Sequence, residues 1–288
     1  KGIYPNTTIE VREKVIEFIN KNPNKEEIDV IIESAGGSAD DAYRIIRTLR
    51  NNFKKVNIVV PFWAKSAATL LALGGSTIIM DEFGEFGPLD TQLKDEDDTK
   101  EGYKSALIDE YSLETIEKRA QQRYQVMVDD ILNNKIIKIN RSLISQQILS
   151  YTYNFYRPLL EKIDPYEIGS KARKLAVGEG YLKRILITYN GSFLEKESLK
   201  IFVDYLVHGC PDHGYIVDYS ILSLYLSNVI KSKDIGKKYQ ENLTKLSIAL
   251  FKSTEDFKIV GFVDEINGLD KEKDIELDKG DKKNEKKK

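Results

Sequence analysis

The chain has 288 residues, 41% of them apolar, and 44 Lys+Arg against 46 Asp+Glu; the formal net charge of −2 gives nucleic acid or an anionic membrane no overall attraction. One cysteine, Cys210, excludes an internal disulfide and a multi-thiolate metal site, and two histidines, His208 and His213, argue against a histidine-rich metal centre. No metal and no cofactor are expected, and a reducing, cytoplasmic compartment is the simplest reading.

Thr8 to Asn20 carries Ile9, Val11, Val15, Phe18 and Ile19 at helical spacing and runs into an Asn22-Pro23-Asn24 turn. Asp29 to Glu33 is a short buried-strand run, and Ser38 to Phe53 reads as a helix with Ala42, Ile45, Ile46 and Leu49 on one face. Val56 to Val60 is a second strand, stopped by Pro61. Ser66 to Leu73 is a short helix so apolar that it must be buried, and Thr77 to Met80 is a third strand. Strand, helix, strand, helix, strand implies an α/β fold with a parallel sheet and right-handed crossovers.

After Gln92 the texture changes. Lys94 to Lys104 is charged and polar, which predicts a mobile loop; Ser105 to about Lys162 is long and helical. Ile163 to Asn190 reads as helix-turn-helix and Ser198 to Leu206 as helix. The CPDHGYIVD segment from Cys210 reads as a turn plus a short extended run. Tyr219 to Phe251 is mostly helical, Lys258 to Val263 is a candidate last strand, and Asn267 to Lys288 reads as a charged, disordered tail. The tyrosines between Tyr103 and Tyr225 read as packing of the helical region. No apolar run reaches the roughly 18–20 residues of a membrane span. The chain opens at Lys1 rather than Met, so membrane association would require a segment upstream of it.

Two corners carry chemistry. Gly36-Gly37 follows the first strand, where glycine can take positive φ and turn its N–H groups outward; an ordinary strand-to-helix turn uses the same residues. Ser66 follows the second strand between Ala64 and Ala67-Ala68, with small neighbours that admit a substrate backbone; a serine there also serves as a plain N-cap. Adjacent parallel strands put both corners at their C-terminal ends, where sites on open α/β sheets form. A hydroxyl beside preformed N–H donors suits acyl transfer.

These residues resemble the Clp-protease/crotonase-like superfamily, and most closely the serine dehydrogenase proteinase family, a relative of signal peptide peptidase A. The matching pieces are Ser34-Ala35-Gly36-Gly37, Pro61 to Thr69, Leu73-Gly74, Ile78 to Asp81 and Phe86 to Gln92, with weaker echoes around Asp164 and His213. The resemblance implies a Clp/crotonase-like parallel β-sheet core with crossover helices, plus a C-terminal mostly helical region. The expected division is 1–104 as the core with the nucleophile and 105–266 as a helical region that completes the fold or forms an oligomer interface. Residues 267–288 are the tail. The resemblance also implies Ser66 as nucleophile, the Gly36-Gly37 turn (Gly37 in particular) with the Ala67 N–H as oxyanion hole, peptide or unfolded protein as substrate, and self-assembly.

The general base stays open. A Clp-type histidine would fall near position 91, where Thr91 stands. Signal-peptide-peptidase-like relatives use a later lysine, for which Lys104 and Lys118 are placed; such a base must be neutral, hence shifted down by burial from about 10.4. His213, in a turn whose following run can return to the sheet edge, is the other candidate. Lys65 reads as solvated or substrate-facing, Asp90 and Gln92 as groove-lining or turn-capping, and His208 and Cys210 as structural. An inactive oligomeric scaffold and a crotonase-like acyl-CoA enzyme are the competing readings. The missing histidine near position 91 favours the first, and the lack of an acidic base in a matching place weighs against the second.

Overall fold

The structure is a computed structural model that describes residues 2–89, 92–94, 103–133, 140–191, 196–252 and 261. In chain order it runs α1 (Pro5–Lys21), β1 (Glu27–Ile31), α2 (Ala39–Asn52), β2 (Lys55–Val60), β3 (Trp63–Ala64), α3 (Ala67–Ala72), β4 (Thr77–Met80) and β5 (Glu85–Phe86). Then come β6 (Gln92–Lys94), β7 (Tyr103–Ser105), α4 (Ala106–Asn133), α5 (Arg141–Leu160), α6 (Pro165–Asn190) and α7 (Lys196–Asp204). A π-helical turn (Tyr205–Gly209), α8 (Tyr219–Tyr225), β8 (Val229–Lys231), α9 (Ser232–Ile235) and α10 (Lys237–Lys252) follow. The chain divides into two compact units, residues 1–89 with 178–288, and residues 90–177.

The first unit holds a four-stranded, all-parallel sheet in the order β1-β2-β4-β8. Central strand β2 is buried at every position after Lys55, as expected of a strand covered on both faces. Helix α2 is amphipathic for the reason visible in its sequence: Ala42, Ile45, Ile46 and Leu49 are buried on one side. Ser38 caps it, its Oγ accepting the Asp41 N–H at 3.2 Å. All six residues of α3 are buried, so the apolar run does become a core helix.

Strand β8 falls inside the run read as mostly helical, and pairs Val229 with Ile78 and Lys231 with Met80. Two polar networks weld this late segment to the sheet. Asp81, only 4% exposed, accepts hydroxyls from Ser232 (3.1 Å), Thr244 (3.2 Å) and Ser247 (2.9 Å). Asn190, fully buried, donates to Leu73 O and accepts from Asn228 Nδ2 at 3.2 Å, which in turn reaches Gly75 O. The Asp81 carboxylate and the Asn190 amide are thus partnered by protein groups, whereas Asn228 Oδ1 is buried without a hydrogen-bond partner among the described residues.

The second unit holds the antiparallel β6–β7 pair and the helices α4 and α5. Arg123 of α4 lies over the rings of Tyr151 and Phe155 of α5, and Tyr124 Oη bonds Ser145 Oγ at 2.8 Å. Several expectations need correction. Residues 165–190 form one continuous helix, not helix-turn-helix; Gly169, Gly178 and Gly180 sit in open space and break nothing. The first strand ends at Ile31, and α7 ends at Asp204, giving way to the π turn. Tyr111 and Tyr166 stand 73% and 85% exposed rather than packed. Most of the loop read over Lys94 to Lys104, with Asp90, Thr91, the tail and all but one residue of the candidate strand at 258–263, lies outside the described residues. No helix among the described residues is long and apolar enough to cross a membrane.

Candidate active site

The two corners meet. Gly36 lies so close to the serine corner that a Cβ added to it would come within 2.8 Å of Ser66 Cβ, 2.7 Å of Lys65 O and 3.1 Å of Ala67 N. The strands' parallel register produces this approach and short bonds continue it past the strand ends: Ser34 N–H donates to Trp63 O at 3.1 Å, and Lys65 N–H donates to Ser34 O at 2.9 Å. Both glycines take conformations that side chains disfavour, with φ of 108° at Gly36 and 145° at Gly37.

Ser66 has φ 51° and ψ −119°, the one positive φ at a non-glycine among the described residues. Holding an L-residue there costs about 1–3 kcal/mol, and such strain concentrates at sharp strand-to-helix turns that present a nucleophile. The plain N-cap reading fits poorly, because the Ser66 side chain makes no cap hydrogen bond to α3. The residue is half-buried and therefore reachable.

The amides around it divide clearly. Gly36 N–H donates to Ser34 Oγ at 3.1 Å. Among the described residues, neither the Gly37 nor the Ala67 N–H donates to a backbone carbonyl outside its own helix or strand. Gly37 is exposed.

Lys65 is not solvated, contrary to expectation. It is 8% exposed, ion-paired with Glu85 at 2.8 Å and donating to Phe86 O at 3.2 Å. Parallel pairing of β3 with β5 (Trp63 with Glu85, Ala64 with Phe86) delivers both partners, and the missing side chain at Gly87 leaves room for the lysine stem. Thr69 adds a second clamp, its Oγ1 reaching Ala64 O at 2.7 Å and Gly87 O at 2.8 Å. Glu33 completes the cluster. Its Oε2 accepts the Trp63 N–H at 3.0 Å, yet burial pushes its carboxyl up to about 7, with Glu85 adding in the same direction and the Trp63 bond opposing. No signal in the sequence marked Glu33 or Glu85; their roles follow from β5, which pattern alone does not reveal.

His213 sits half-buried in the turn Pro211 to Gly214, and the run after it bridges β5 of the two-stranded β3–β5 pair rather than the edge of the four-stranded sheet. Val217 and Phe86 exchange main-chain bonds of 3.0 and 2.9 Å, so this turn hangs from the strand that pairs with the serine corner. Lys104 lies on β7 opposite Leu93, in the second unit, and Lys118 on α4. His208 is exposed on the π turn. Cys210 is buried and its thiol is pushed up to about 11 by burial, with Asp212 adding and the Tyr205 side chain opposing; the thiol donates to Tyr205 O at 3.4 Å. It is a structural thiol. Among the described residues no group of three or more His, Cys, Asp or Glu is placed to hold a metal ion.

Residues 2–164 match the family pattern of the ClpP-like SDH-type serine proteinases. The chain belongs to that family. Two uncharacterized proteins of Methanocaldococcus jannaschii are similar to this SDH-type chain, one 37% and the other 35% identical over 91 residues; each match covers 32% of this chain and 32% and 31% of the respective relative. The chain thus spans about a third of the length of these curated relatives. Among solved structures, two mutants of the 1510-N membrane-bound stomatin-specific protease are similar. One is 19% identical over 50% of this chain and 64% of that chain, with a TM-score of 0.31. The other, in complex with a substrate peptide, is 20% identical over 50% and 61%, with a TM-score of 0.31. The parallel sheet with flanking helices is the architecture expected of an SDH-type proteinase, and the matched segment contains both corners.

Proposed function

We propose that this SDH-type chain is a serine endopeptidase acting through an acyl-enzyme, with peptide or unfolded protein as substrate. The observation that carries the reading is Ser66, held at positive φ at a corner that Gly36 touches. The scissile carbonyl would sit over Ser66, with its oxygen toward the Gly37 and Ala67 N–H groups. Ser66 Oγ attacks the carbonyl carbon while its proton passes to the general base, and the carbonyl oxygen takes the negative charge. Collapse of the tetrahedral intermediate breaks the C–N bond, the leaving amine receives that proton, and water then hydrolyses the ester.

His213 is the base favoured here, because its turn is tied through Val217 to Phe86, on the strand paired with β3. Imidazole also titrates where such a base must work. Lys104 is the alternative. The Lys65–Glu85 pair and the Thr69 clamp brace the floor of the site rather than take part in proton transfer.

A fluorophosphonate probe tests the reading. It is expected to label the wild-type protein at Ser66, and Ser66→Ala is expected to abolish both the label and peptide cleavage. His213→Ala leaves the fold intact and slows labelling if His213 is the base; unaltered labelling together with a slow Lys104→Ala variant would transfer the role to Lys104. A folded wild-type protein that never labels would point to the inactive scaffold.

A further inference from the structure

We propose that Ile3 is a positioning residue for the oxyanion hole: its main chain locks the Gly36–Gly37 peptide plane so that the Gly37 N–H faces the site side. The inference rests on the peptidase reading above and concerns how one of its donors is held.

A trans peptide is planar, and its C=O and N–H point in opposite directions. No cis peptide occurs among the described residues. Ile3 N–H donates to Gly36 O at 2.8 Å, so the Gly37 N–H, which shares that plane, points away from Ile3. Ile3 O accepts the Ser38 N–H at 2.7 Å, which turns Gly37 O away by the same reasoning. The two bonds bracket Gly37 as a parallel bridge and hold it at φ 145°.

A diglycine turn needs such a lock. Without side chains, little opposes rotation of the 36–37 peptide, and a flipped plane would aim the Gly36 carbonyl, not an N–H, at the developing oxyanion. The glycine is required in return, since a Cβ at position 37 would run into the Ile3 backbone. Ile3 is itself well fixed. Its side chain is 4% exposed, Thr7 Oγ1 donates to Gly2 O at 2.8 Å, and Thr8 Oγ1 ties the start of α1 to the buried Asp41 of α2 at 3.0 Å. The lock is thus continuous with helix packing and does not depend on a loose strand end.

Two variants and one exchange measurement test this. Ile3→Pro deletes the N–H that holds Gly36 O while keeping an apolar side chain, whereas Ile3→Val keeps the donor. In the proline variant, kcat for a peptide substrate is expected to fall about 100-fold with KM nearly unchanged, as for loss of one oxyanion donor. Affinity for a peptide boronic acid should fall in parallel, and Ile3→Val should match wild type. A folded Ile3→Pro protein with wild-type kcat, or a loss confined to KM, overturns the proposal.

Amide hydrogen exchange on the wild-type protein decides the matter if the proline variant does not fold. The Ile3 amide is expected to be protected throughout, and the Gly37 amide to exchange fast when free and slowly in the boronate adduct. A fast Ile3 amide, or a Gly37 amide already protected in the free protein, overturns the lock. Failure of the wild-type protein to label at Ser66 strikes the peptidase reading instead, and the free-state exchange pattern still judges the peptide plane.

Discussion

Gly36 and Ser66 occupy one another's space: the volume a Cβ on the glycine would need lies 2.8 Å from the serine Cβ. Gly36→Ala therefore meets the serine corner and must also adopt φ 108°. Overpacking costs about 1–3 kcal/mol and the backbone strain about 1–2 kcal/mol more. Chemical denaturation is expected to show a loss of about 2–5 kcal/mol, with Ser66 labelling lost in whatever folded fraction remains. An alanine variant of wild-type stability and labelling would mean the corners do not touch.

Strain at Ser66 makes a prediction of opposite sign. Ser66→Gly relieves the positive φ of 51° and abolishes activity. Relief of about 1–3 kcal/mol, less about 0.4–1 kcal/mol of added unfolded-state entropy, leaves a net gain between about 0 and 2.6 kcal/mol. Thermal melting of Ser66→Gly beside Ser66→Ala reads this, with the glycine variant the more stable of the two.

Glu33 gives the stability a pH dependence. Its folded pKa of about 7 lies above the unfolded value of 4.5, so between those pH values the folded protein holds the extra proton. Stability from this group is present below about pH 4.5 and is lost as pH rises through 7, by up to about 3 kcal/mol. Glu33→Gln keeps an oxygen for the Trp63 N–H and removes the charge. It is expected to melt higher than wild type at pH 8 and equally at pH 4.5; equal melting at both would show that Glu33 ionises without cost.

Asp81 is the polar centre that holds the late chain to the sheet, through Ser232, Thr244 and Ser247. Asp81→Ala removes the acceptor shared by Ser232 and Thr244, while Ser247 keeps Pro61 O and Leu243 O, and should cost about 2–4 kcal/mol in urea unfolding. The loss should be matched within about 1 kcal/mol by deletion of the three hydroxyls together. An independent, additive loss in the quadruple variant would contradict a shared network.

Cys210 should be inert. Its thiol is buried and its pKa lies near 11, so a disulfide reagent at pH 8 is expected to modify it only on unfolding. Rapid native-state modification would reopen a role for this residue.

Much of the α/β core was legible because its signals are local. Ile45, Ile46 and Leu49 announce α2, the apolar run of β2 announces a covered strand, and the glycine pair and Ser66 stand at turns that periodicity itself marks. Pairing is what escaped. Two-residue β5 carries no periodicity, so the burial of Lys65 against Glu85 and Phe86 could not be read from the lysine or its neighbours. Three-residue β8 is hidden between helices, and the sheet's last position is set by contacts with β4 far upstream. The helix at 165–190 shows the reverse error: the run reads as helix-turn-helix, yet it is one continuous helix in which Gly169, Gly178 and Gly180 meet no neighbouring atoms. The lock by Ile3 depends on a bridge between residues 34 positions apart, which no window of sequence contains.

The most direct test of the central claim is a crystal structure of the protein soaked with a peptide aldehyde. The account predicts a hemiacetal on Ser66 Oγ whose oxygen lies about 2.7–3.1 Å from both the Gly37 and Ala67 nitrogens. An adduct whose oxygen turns away from both amides, or an aldehyde that binds without reacting at Ser66, would contradict it.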